Sequence, residues 1–491
     1  FFKNLVDEKE FQECSFFMAF TPPPKASRDP SGYPSKKKKK ERTANNMLSI
    51  CQFGRPDKMS KYALQSSFHG RVTTGVKWIS KPGEDCAGLI ATCSEDGKVK
   101  FVRCKTDGST KSFSHGQQDT WFAEGYGTSG VVSSLQRSCQ NTAMESVRTV
   151  EMHHSGIRAL AIAQSTEATD AFKLVLSAGG HNTICCWRVS TSPADSYAPV
   201  VALLSRKCFA KTDGEHRFLS IVTVPSVNGR LPVVFAGNSQ GEIYCFHLHV
   251  EKAWDLVPPS PGNKLENARQ VVFGGEQALD SAVLALKATI QHEDPRKNSP
   301  ILSLGFVGGF AGTTGILLLT GGSNGMITIW EINDDLVGHN VFCERMHQCG
   351  LNCLDQSPQV QEDNTFIVVS GGDDNAFCIS LFRWEQGLGP QKSFVSKLQS
   401  IRTDNFCGSA LQGIRLVGKY VFCAGWNQRL HILRVGLDGN VTRVASCFLD
   451  VPDIGDLDVT VSKAPTRTES RFLIAVVGQG IQLLEFDARF E

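Results

Sequence analysis

Two short stretches of the chain carry side chains that could bind a metal or move protons. His347, Cys349 and Cys353 place an imidazole and two thiols at close spacing, but a structural zinc site needs four such ligands. No fourth ligand lies nearby in the sequence, and the leucines between these residues are typical of a packed strand, so we interpret His347 as structural. Asp373 and Asp374 offer two carboxylates, but adjacent residues at a strand end tend to point apart. We therefore expect no catalytic carboxylate pair.

Two further stretches could bind phosphate. Residues 308–315, GGFAGTTG, are rich in glycine, but they lack the Lys-Ser/Thr ending of a phosphate-binding loop and connect two strands. A run of lysines nearer the N-terminus could neutralise nucleic-acid phosphates; the alternatives are a solvated loop and a nuclear-import signal. The candidate nucleic-acid-binding residues are Lys36, Lys37, Lys38, Lys39, Lys40 and Arg42. Because no complete catalytic site is found, we predict that the chain is not an enzyme and has no cofactor of its own.

The element that recurs along the chain is a β-hairpin, best seen in Leu317–Ile332, LLLTGGSNGMITIWEI. Two apolar runs are joined by a tight turn containing Asn-Gly, which is a strong hairpin signal. Both faces of the second run are largely apolar, so we expect a strand that is buried on both sides. The same frame recurs seven times, and the copies are Ile90–Val102, Val175–Trp187, Val234–Phe246, Leu318–Trp330, Val368–Ser380, Val421–Leu433 and, with a shortened turn, Ile474–Leu484.

Most hairpins have a further strand on either side. An apolar stretch led by glycine, sometimes after histidine, precedes the hairpin, as His69-Gly70 precedes Val72–Ile79. His154 and His347 occupy similar places, and a position repeated in this way is architectural. A short strand such as Val441–Phe448 follows the hairpin. Four strands per unit at this spacing predict the blades of a β-propeller.

The two ends of the chain complement each other in this scheme. Few residues follow the seventh hairpin, so its blade lacks an outer strand. Tyr62–Phe68 precedes the first unit, where an outer strand should lie, and we expect it to pair with Ile481–Phe486. Such a pairing closes the ring and removes an open sheet edge.

Composition limits the remaining possibilities. The 491 residues are 41% hydrophobic, and many of the 17 cysteines occupy apolar strand positions, where a free thiol acts as a small buried hydrophobe. The absence of a dense disulfide framework favours a reducing compartment, and we expect a cytoplasmic protein. No apolar run reaches the length of a membrane span, so no membrane association is predicted.

The first part of the chain differs from the rest. We expect residues 1–57 to be the remnant of an upstream propeller, interrupted by a basic disordered loop at 21–45, and residues 58–491 to form the seven-bladed propeller. Because the chain begins Phe-Phe-Lys without methionine, we interpret it as a fragment of a longer protein. Lysines and arginines concentrate in the basic segment, whereas the body is mildly acidic.

The hairpins that end in Trp187-Arg188 and Trp330-Glu331 resemble those of WD-repeat proteins. More specifically, residues 60–491 resemble the C-terminal part of the WD repeat-containing protein 6 family. The residues that carry the likeness are HHSGIRALAI (153–162), HQCGLNCLD (347–355), VVSGGDDNAF (368–377) and the ending CFLDVPDIGDLDV (447–459) with GQGIQLLEF (478–486).

The resemblance implies a fold and a function. It implies an all-β, seven-bladed WD-type β-propeller, in which a turn aspartate bonds to the turn and to a neighbouring histidine. The residues at that turn position are Asp96, His181, Gln240, Asn324, Asp374 and Asn427. The resemblance further implies a non-catalytic scaffold subunit of a tRNA ribose 2′-O-methyltransferase acting at the wobble nucleotide. Its partners would be tRNA and an FtsJ-like enzyme that uses S-adenosylmethionine. The alternative is a general WD-repeat scaffold for protein interactions that does not bind RNA.

Overall fold

The structure, a computed structural model, describes residues 59–66, 68–80, 88–104, 144–163, 172–190, 201–209, 216–225, 231–250, 283–292, 298–308, 316–357, 363–385, 387, 393–436, 441–462 and 469–489. These residues contain 28 β-strands arranged as seven four-stranded antiparallel sheets. The predicted seven-bladed β-propeller is therefore confirmed. The predicted upstream remnant at 1–57 lies outside the described residues.

The blades are numbered in chain order, with their strands given from first to last. Blade 1 is β2 (Thr73–Ser80), β3 (Gly88–Ser94), β4 (Lys98–Cys104) and β5 (Met144–Glu151); blade 2 is β6 (Ile157–Ala163), β7 (Phe172–Gly179), β8 (Thr183–Ser190) and β9 (Val201–Cys208). Blade 3 is β10 (Phe218–Val224), β11 (Val233–Asn238), β12 (Ile243–Leu248) and β13 (Leu284–Ile290); blade 4 is β14 (Ile301–Val307), β15 (Ile316–Gly322), β16 (Met326–Ile332) and β17 (Gly338–Arg345). Blade 5 is β18 (Leu351–Gln356), β19 (Thr365–Gly372), β20 (Phe377–Glu385) and β21 (Phe394–Thr403); blade 6 is β22 (Leu411–Val417), β23 (Tyr420–Gly425), β24 (Arg429–Val435) and β25 (Val441–Phe448). Blade 7 is β26 (Asp456–Ser462), β27 (Glu469–Val477), β28 (Gly480–Arg489) and β1 (Met59–Ser66).

The first strand of each blade lies innermost. These seven strands contact one another in an unbroken circle, from β2 through β6, β10, β14, β18 and β22 to β26 and back to β2. Because neighbouring strands are antiparallel, two kinds of connection meet at the same edge of every blade. They are the turn between the second and third strands, such as the one holding Asp96, and the loop leading into the first strand, such as the one holding Gly70. This edge is called the upper face.

Burial explains why the first strand of each repeated hairpin is almost entirely apolar or small. The second strand lies between two strands of its own sheet and packs against neighbouring blades on both faces. Every residue of β3, β11, β15 and β23 is therefore buried. The outer strand β13 is half exposed. Most of the largest fully buried side chains are phenylalanines, including Phe101, Phe235 and Phe422, and truncating one to alanine costs about 3–5 kcal/mol.

The strand register agrees with the repeat found in the sequence. The first and last residues of all seven predicted hairpins face each other across the paired strands, from Ile90 opposite Val102 to Ile474 opposite Leu484. The hairpin predictions are confirmed. One detail differs: β10 forms without the glycine-led leader that precedes most of the hairpins.

Blade 7 takes its fourth strand from the beginning of the described chain. β1 runs antiparallel to β28, with Met59 opposite Phe486 and Ser66 opposite Gly480. At the opposite edge of the same sheet, β26 is joined to blade 1 through Asp458, whose carboxylate accepts from the Trp78 backbone N–H at 2.8 Å and lies 3.8 Å from Lys77 Nζ. Asp458 also accepts from Arg415 Nε of blade 6 at 2.9 Å. The junction between the last and first blades is thus held by main-chain and ionic contacts.

None of the described residues belongs to a helix that is both long enough and apolar enough to cross a membrane.

Candidate functional site

A histidine on the upper face caps blade 5. His347 Nε2 lies 2.9 Å from Ser370 Oγ, and its Nδ1 lies 2.9 Å from the Asp374 carboxylate. The carboxylate can only accept, so Nδ1–H donates to Asp374, and the Ser370 hydroxyl donates to Nε2. Asp374 also accepts from the Gln348 backbone N–H at 2.7 Å and pairs with Arg402 at 3.0 Å. The cap of blade 5 is therefore fully bonded.

Blade 1 repeats this cap. His69 contacts Asp96 at 3.2 Å and Thr92 at 3.0 Å, and Asp96 accepts from the backbone N–H groups of Gly70 and Lys98, each at 3.0 Å. The turn role predicted for Asp96 and Asp374 is confirmed, as is the structural interpretation of His347 and His69. The position is architectural because it ties the incoming loop to the hairpin.

Burial and hydrogen bonds set the charges in these caps. Burial lowers the pKa of His69 to about 4, although Asp96 opposes the shift, so the imidazole is neutral at pH 7. Burial by itself would raise the pKa of Asp374, but the hydrogen bonds from His347, Gln348 and Arg402 lower it to about 2. Each cap therefore pairs a neutral imidazole with a carboxylate that stays ionised.

The adjacent carboxylates Asp373 and Asp374 have different surroundings in blade 5. Asp373 is exposed and accepts from the Asn352 side-chain amide at 2.6 Å, whereas Asp374 points into the cap. The two carboxylates do not form a pair. Cys349 is exposed while Cys353 is buried, and among the described residues no group of three or more His, Cys, Asp or Glu side chains is arranged to hold a metal.

Blade 2 has the cap histidine and serine but lacks the carboxylate. The histidine is His153, whose Nε2 lies 2.8 Å from Ser177 Oγ, and Ser177 Oγ also accepts from Trp187 Nε1 at 2.9 Å. The assignment of this position to His154 is wrong. The turn position that holds aspartate in blades 1 and 5 is occupied by His181, and Nδ1 of His153 is buried without a hydrogen-bond partner.

The turn between the second and third strands of blade 2 is also shorter than the corresponding turn of blade 5. Pairing continues to Gly179 opposite Thr183, and His181 adopts φ +56°. Gly180 forms a bridge to Arg217 of blade 3, and the Asn182 N–H donates to the His216 carbonyl at 3.0 Å. The Gly180 N–H also donates to the Gly156 carbonyl at 3.0 Å, so the turn bonds both its own blade and the next one, but it offers His153 no carboxylate.

A basin of about 820 Å³ lies on the upper face where blades 1 and 2 meet. Its lining includes five cationic side chains and two carboxylates, together with His153, His154 and Ser155. The cations are Arg71, Lys98, Lys100, Arg158 and Arg217, and the carboxylates are Glu95 and Asp96. This surface is called the basic basin.

The side chains that line the basin carry a net positive charge even when their ion pairs are counted. Arg158 pairs with Glu95 at 2.9 Å, and Lys98 pairs with Glu151 at 2.5 Å. Lys100 donates to the Phe68 carbonyl and lies 4.7 Å from the centre of the Phe68 ring. Burial, with help from nearby Arg206 and His154, lowers the pKa of His153 to about 4, so His153 adds no positive charge at pH 7. Side chains of this kind attract phosphates or carboxylates.

The predicted phosphate-binding residues and the observed basin do not coincide. Lys36, Lys37, Lys38, Lys39, Lys40 and Arg42 lie outside the described residues, as does nearly all of the 308–315 stretch. Sequence reasoning missed the basin because its cations come from three blades. The available signal was His181, a histidine where the repeat expects aspartate.

Comparison with known proteins does not assign the chain to a family. No protein-family model matches the chain, and no curated protein matches it significantly.

Proposed function

We propose that this protein is the non-catalytic scaffold subunit of a tRNA ribose 2′-O-methyltransferase complex. In this role it positions tRNA and an FtsJ-like catalytic partner for methylation of the wobble nucleotide. The partner supplies the methyl-transfer chemistry with S-adenosylmethionine. The proposal combines the sequence resemblance to the WD repeat-containing protein 6 family with one structural observation, the basic basin. We propose a cytoplasmic location for the complex.

The basic basin is what favours RNA as one of the partners. Five cations converge on a concave surface, and positive side chains on such a surface bind nucleic-acid phosphates without reading the base sequence. A tRNA carries its identity in its shape and its bases, so a phosphate-binding scaffold can hold it while another protein selects the nucleotide. The basin thus supplies affinity and orientation rather than chemistry.

A propeller suits a scaffold because its faces are rigid and separate. The seven blades present an upper face, an opposite face and a rim made of outer strands. One surface can hold RNA while another holds an enzyme. The caps that could have suggested catalysis are occupied with bonding the blades together, as His347 and Asp374 do.

A second candidate function is a scaffold for proteins that does not bind RNA. It is favoured by Trp426, whose side chain is 60% exposed on the upper face of blade 6. Exposed tryptophan is enriched where proteins meet. In this case the basin would receive an acidic protein segment.

The test is a methylation assay with tRNA, S-adenosylmethionine and the FtsJ-like enzyme, with or without this protein. We expect ribose methylation at the wobble position only when both proteins are present, and no methylation by this protein alone. Equal methylation by the enzyme alone would overturn the proposal. A protein that binds the enzyme but does not bind tRNA would support the second candidate.

A further inference from the structure

Two thiols occupy the cap of blade 6. Cys407 lies four residues before β22, the same distance at which the cap histidines precede the inner strands of their blades. Those histidines are His69, His153 and His347. Cys423 is the third residue of its hairpin frame, where blade 5 has Ser370. The imidazole–hydroxyl pair of the other caps is thus replaced by a pair of cysteines.

The rest of the blade 6 cap holds the thiols in place. Asn427, at the turn position of Asp374, donates its side-chain N–H to the Cys407 carbonyl, and its backbone N–H donates to Ser409 Oγ at 3.0 Å. Cys423 is fully buried, while Cys407 is 7% exposed, on the loop that reaches the upper face. Cys407 therefore lies nearer the solvent than its partner.

The two thiols differ in their electrostatic surroundings. The Cys423 thiol donates to the His431 carbonyl at 3.7 Å. The adjacent Cys423 thiol, the imidazole of His431 and the charge of Arg443 lower the pKa of Cys407 despite its burial. The interaction with Cys407 and complete burial raise the pKa of Cys423. One cysteine is thus favoured as a thiolate and its neighbour as a thiol, which is the arrangement of an attacking and a resolving cysteine.

Other buried cysteines of the chain lack this arrangement. Burial raises the pKa of Cys104 and of Cys186, and no group near either of them stabilises a thiolate. Cys353 belongs to the same core cluster as Cys407 and Cys423, but complete burial raises the pKa of Cys353 as well. Of Cys104, Cys186, Cys353 and Cys407, only Cys407 has a lowered pKa.

We propose that Cys407 and Cys423 form a peroxide-sensitive modification site, in which oxidation joins them in a disulfide. The Cys407 thiolate attacks one oxygen of hydrogen peroxide, the O–O bond breaks, and hydroxide leaves, so that sulfur becomes a sulfenic acid. The Cys423 thiol, losing its proton, then attacks the sulfenic sulfur, and the oxygen departs as water. Both cysteines are oxidised, the peroxide is reduced to two waters, and a thiol reductant reverses the change.

The disulfide would tie the loop before β22 to the second strand of blade 6. The backbone N–H of Trp426 donates to the Ala410 carbonyl at 3.1 Å, so the exposed tryptophan belongs to the same loop–turn unit. Oxidation would therefore crosslink the unit that carries Trp426, the most exposed of the large hydrophobic side chains among the described residues.

The test treats the reduced protein with hydrogen peroxide, blocks remaining thiols with an alkylating agent, and maps the peptides by mass spectrometry without reduction. We expect a crosslinked peptide pair containing Cys407 and Cys423, lost on treatment with dithiothreitol. This experiment uses the unmodified sequence, so it does not depend on a variant that folds.

Variants then separate the roles of the two cysteines. In Cys423→Ser, Cys407 should remain as a sulfenic acid that a dimedone probe labels, whereas in Cys407→Ser the peroxide should leave Cys423 unmodified. Cys349→Ser, which removes an exposed thiol, is the matched control and should preserve the crosslink. The proposal fails if Cys353 is the partner of Cys407, or if Cys349 is oxidised at peroxide doses that leave Cys407 reduced.

Discussion

Blades 5 and 2 carry the same cap histidine and serine, yet only blade 5 closes its cap. In blade 5, Asp374 bonds His347, a backbone N–H and Arg402. In blade 2, His181 occupies the place of that aspartate, Nδ1 of His153 has no hydrogen-bond partner, and the turn also bonds blade 3. The basic basin opens beside the incomplete cap.

The difference shows how a repeat protein can obtain a binding surface without a new element. A carboxylate that stabilises one blade also fills its upper face with negative charge. Blade 2 lacks that carboxylate and has a shorter turn, and the cations of blades 1, 2 and 3 outnumber the two carboxylates that remain in the basin, Glu95 and Asp96. The departure from the repeat is thus more informative about function than the repeat itself.

The largest expected effect comes from removing the carboxylate that closes blade 5. Asp374→Ala should lower the free energy of unfolding by about 3–4 kcal/mol, because it leaves the buried Nδ1–H of His347 unpaired and removes the ion pair with Arg402. The matched change in blade 2, His181→Ala, should cost less than about 1 kcal/mol, since His181 is exposed. Urea unfolding of both variants measures the difference, and equal losses would contradict the comparison.

The caps should also make stability fall in acid. Folding lowers the pKa of His69 and of His153 from 6.5 to about 4. Between these pH values the two imidazoles are protonated in the unfolded chain and neutral in the folded chain. Their contribution is complete above pH 6.5 and declines as the pH falls to 4, by on the order of 3 kcal/mol each. Asp374, with its pKa lowered to about 2, contributes above pH 4 and is lost as the pH falls towards 2.

The pH dependence can be assigned to one cap by substitution. His153→Gln should flatten the decline between pH 6.5 and 4 relative to the unsubstituted protein, measured as urea midpoints across that range. If the slope is unchanged, His153 does not stay neutral in the folded blade.

A smaller contrast is expected between two serines. Ser370→Ala removes the hydroxyl that donates to His347 and should cost about 1–2 kcal/mol. Ser155→Ala removes a buried hydroxyl that has no hydrogen-bond partner, so stability should stay the same or rise by up to about 1 kcal/mol. Thermal unfolding distinguishes the two, and a loss for Ser155→Ala comparable to that for Ser370→Ala would show that its hydroxyl is bonded.

The smallest effect is expected from the lysine run. Replacing Lys36–Lys40 by serine should reduce tRNA affinity and its salt dependence only partly. Five simultaneous phosphate contacts would contribute a slope of about −3.5 on single strands, and fewer simultaneous contacts would give a proportionally smaller change. Unchanged affinity at low salt would favour the alternative that the lysine run is a solvated segment that does not bind RNA. A loss of affinity larger than that of the basin variants would indicate that the main RNA site is not the basic basin.

The sequence predicts the fold well because hairpin register is a local property. Ile474 faces Leu484 as predicted although the seventh turn is shortened, since the alternation of apolar residues fixes the pairing. The assignment of the cap position to His154 is wrong because the glycine that precedes the inner strand does not fix the position of the cap histidine. The histidine is placed by its distance from the inner strand, and that distance selects His153, four residues before Ile157.

The basin could not be predicted in the same way. Arg71, Arg158 and Arg217 are separated by long stretches of sequence, and only the circular arrangement of inner strands brings them to one surface. Their charges are ordinary surface charges when considered singly. The proximity of Cys407 to Cys423 was equally unpredicted, because it depends on a loop packing against a strand.

The central claim, that the basic basin binds tRNA phosphates, is tested most directly by the salt dependence of tRNA affinity. The variant Arg71→Ala/Arg158→Ala/Arg217→Ala should weaken binding about tenfold or more at low salt and reduce the slope of log affinity on log salt by about 2–3. Arg383→Ala/Lys397→Ala/Lys419→Ala removes the same charge from residues that do not line the basin, and should change the slope by much less. Equal losses in the two variants, or no change in the first, would contradict the account.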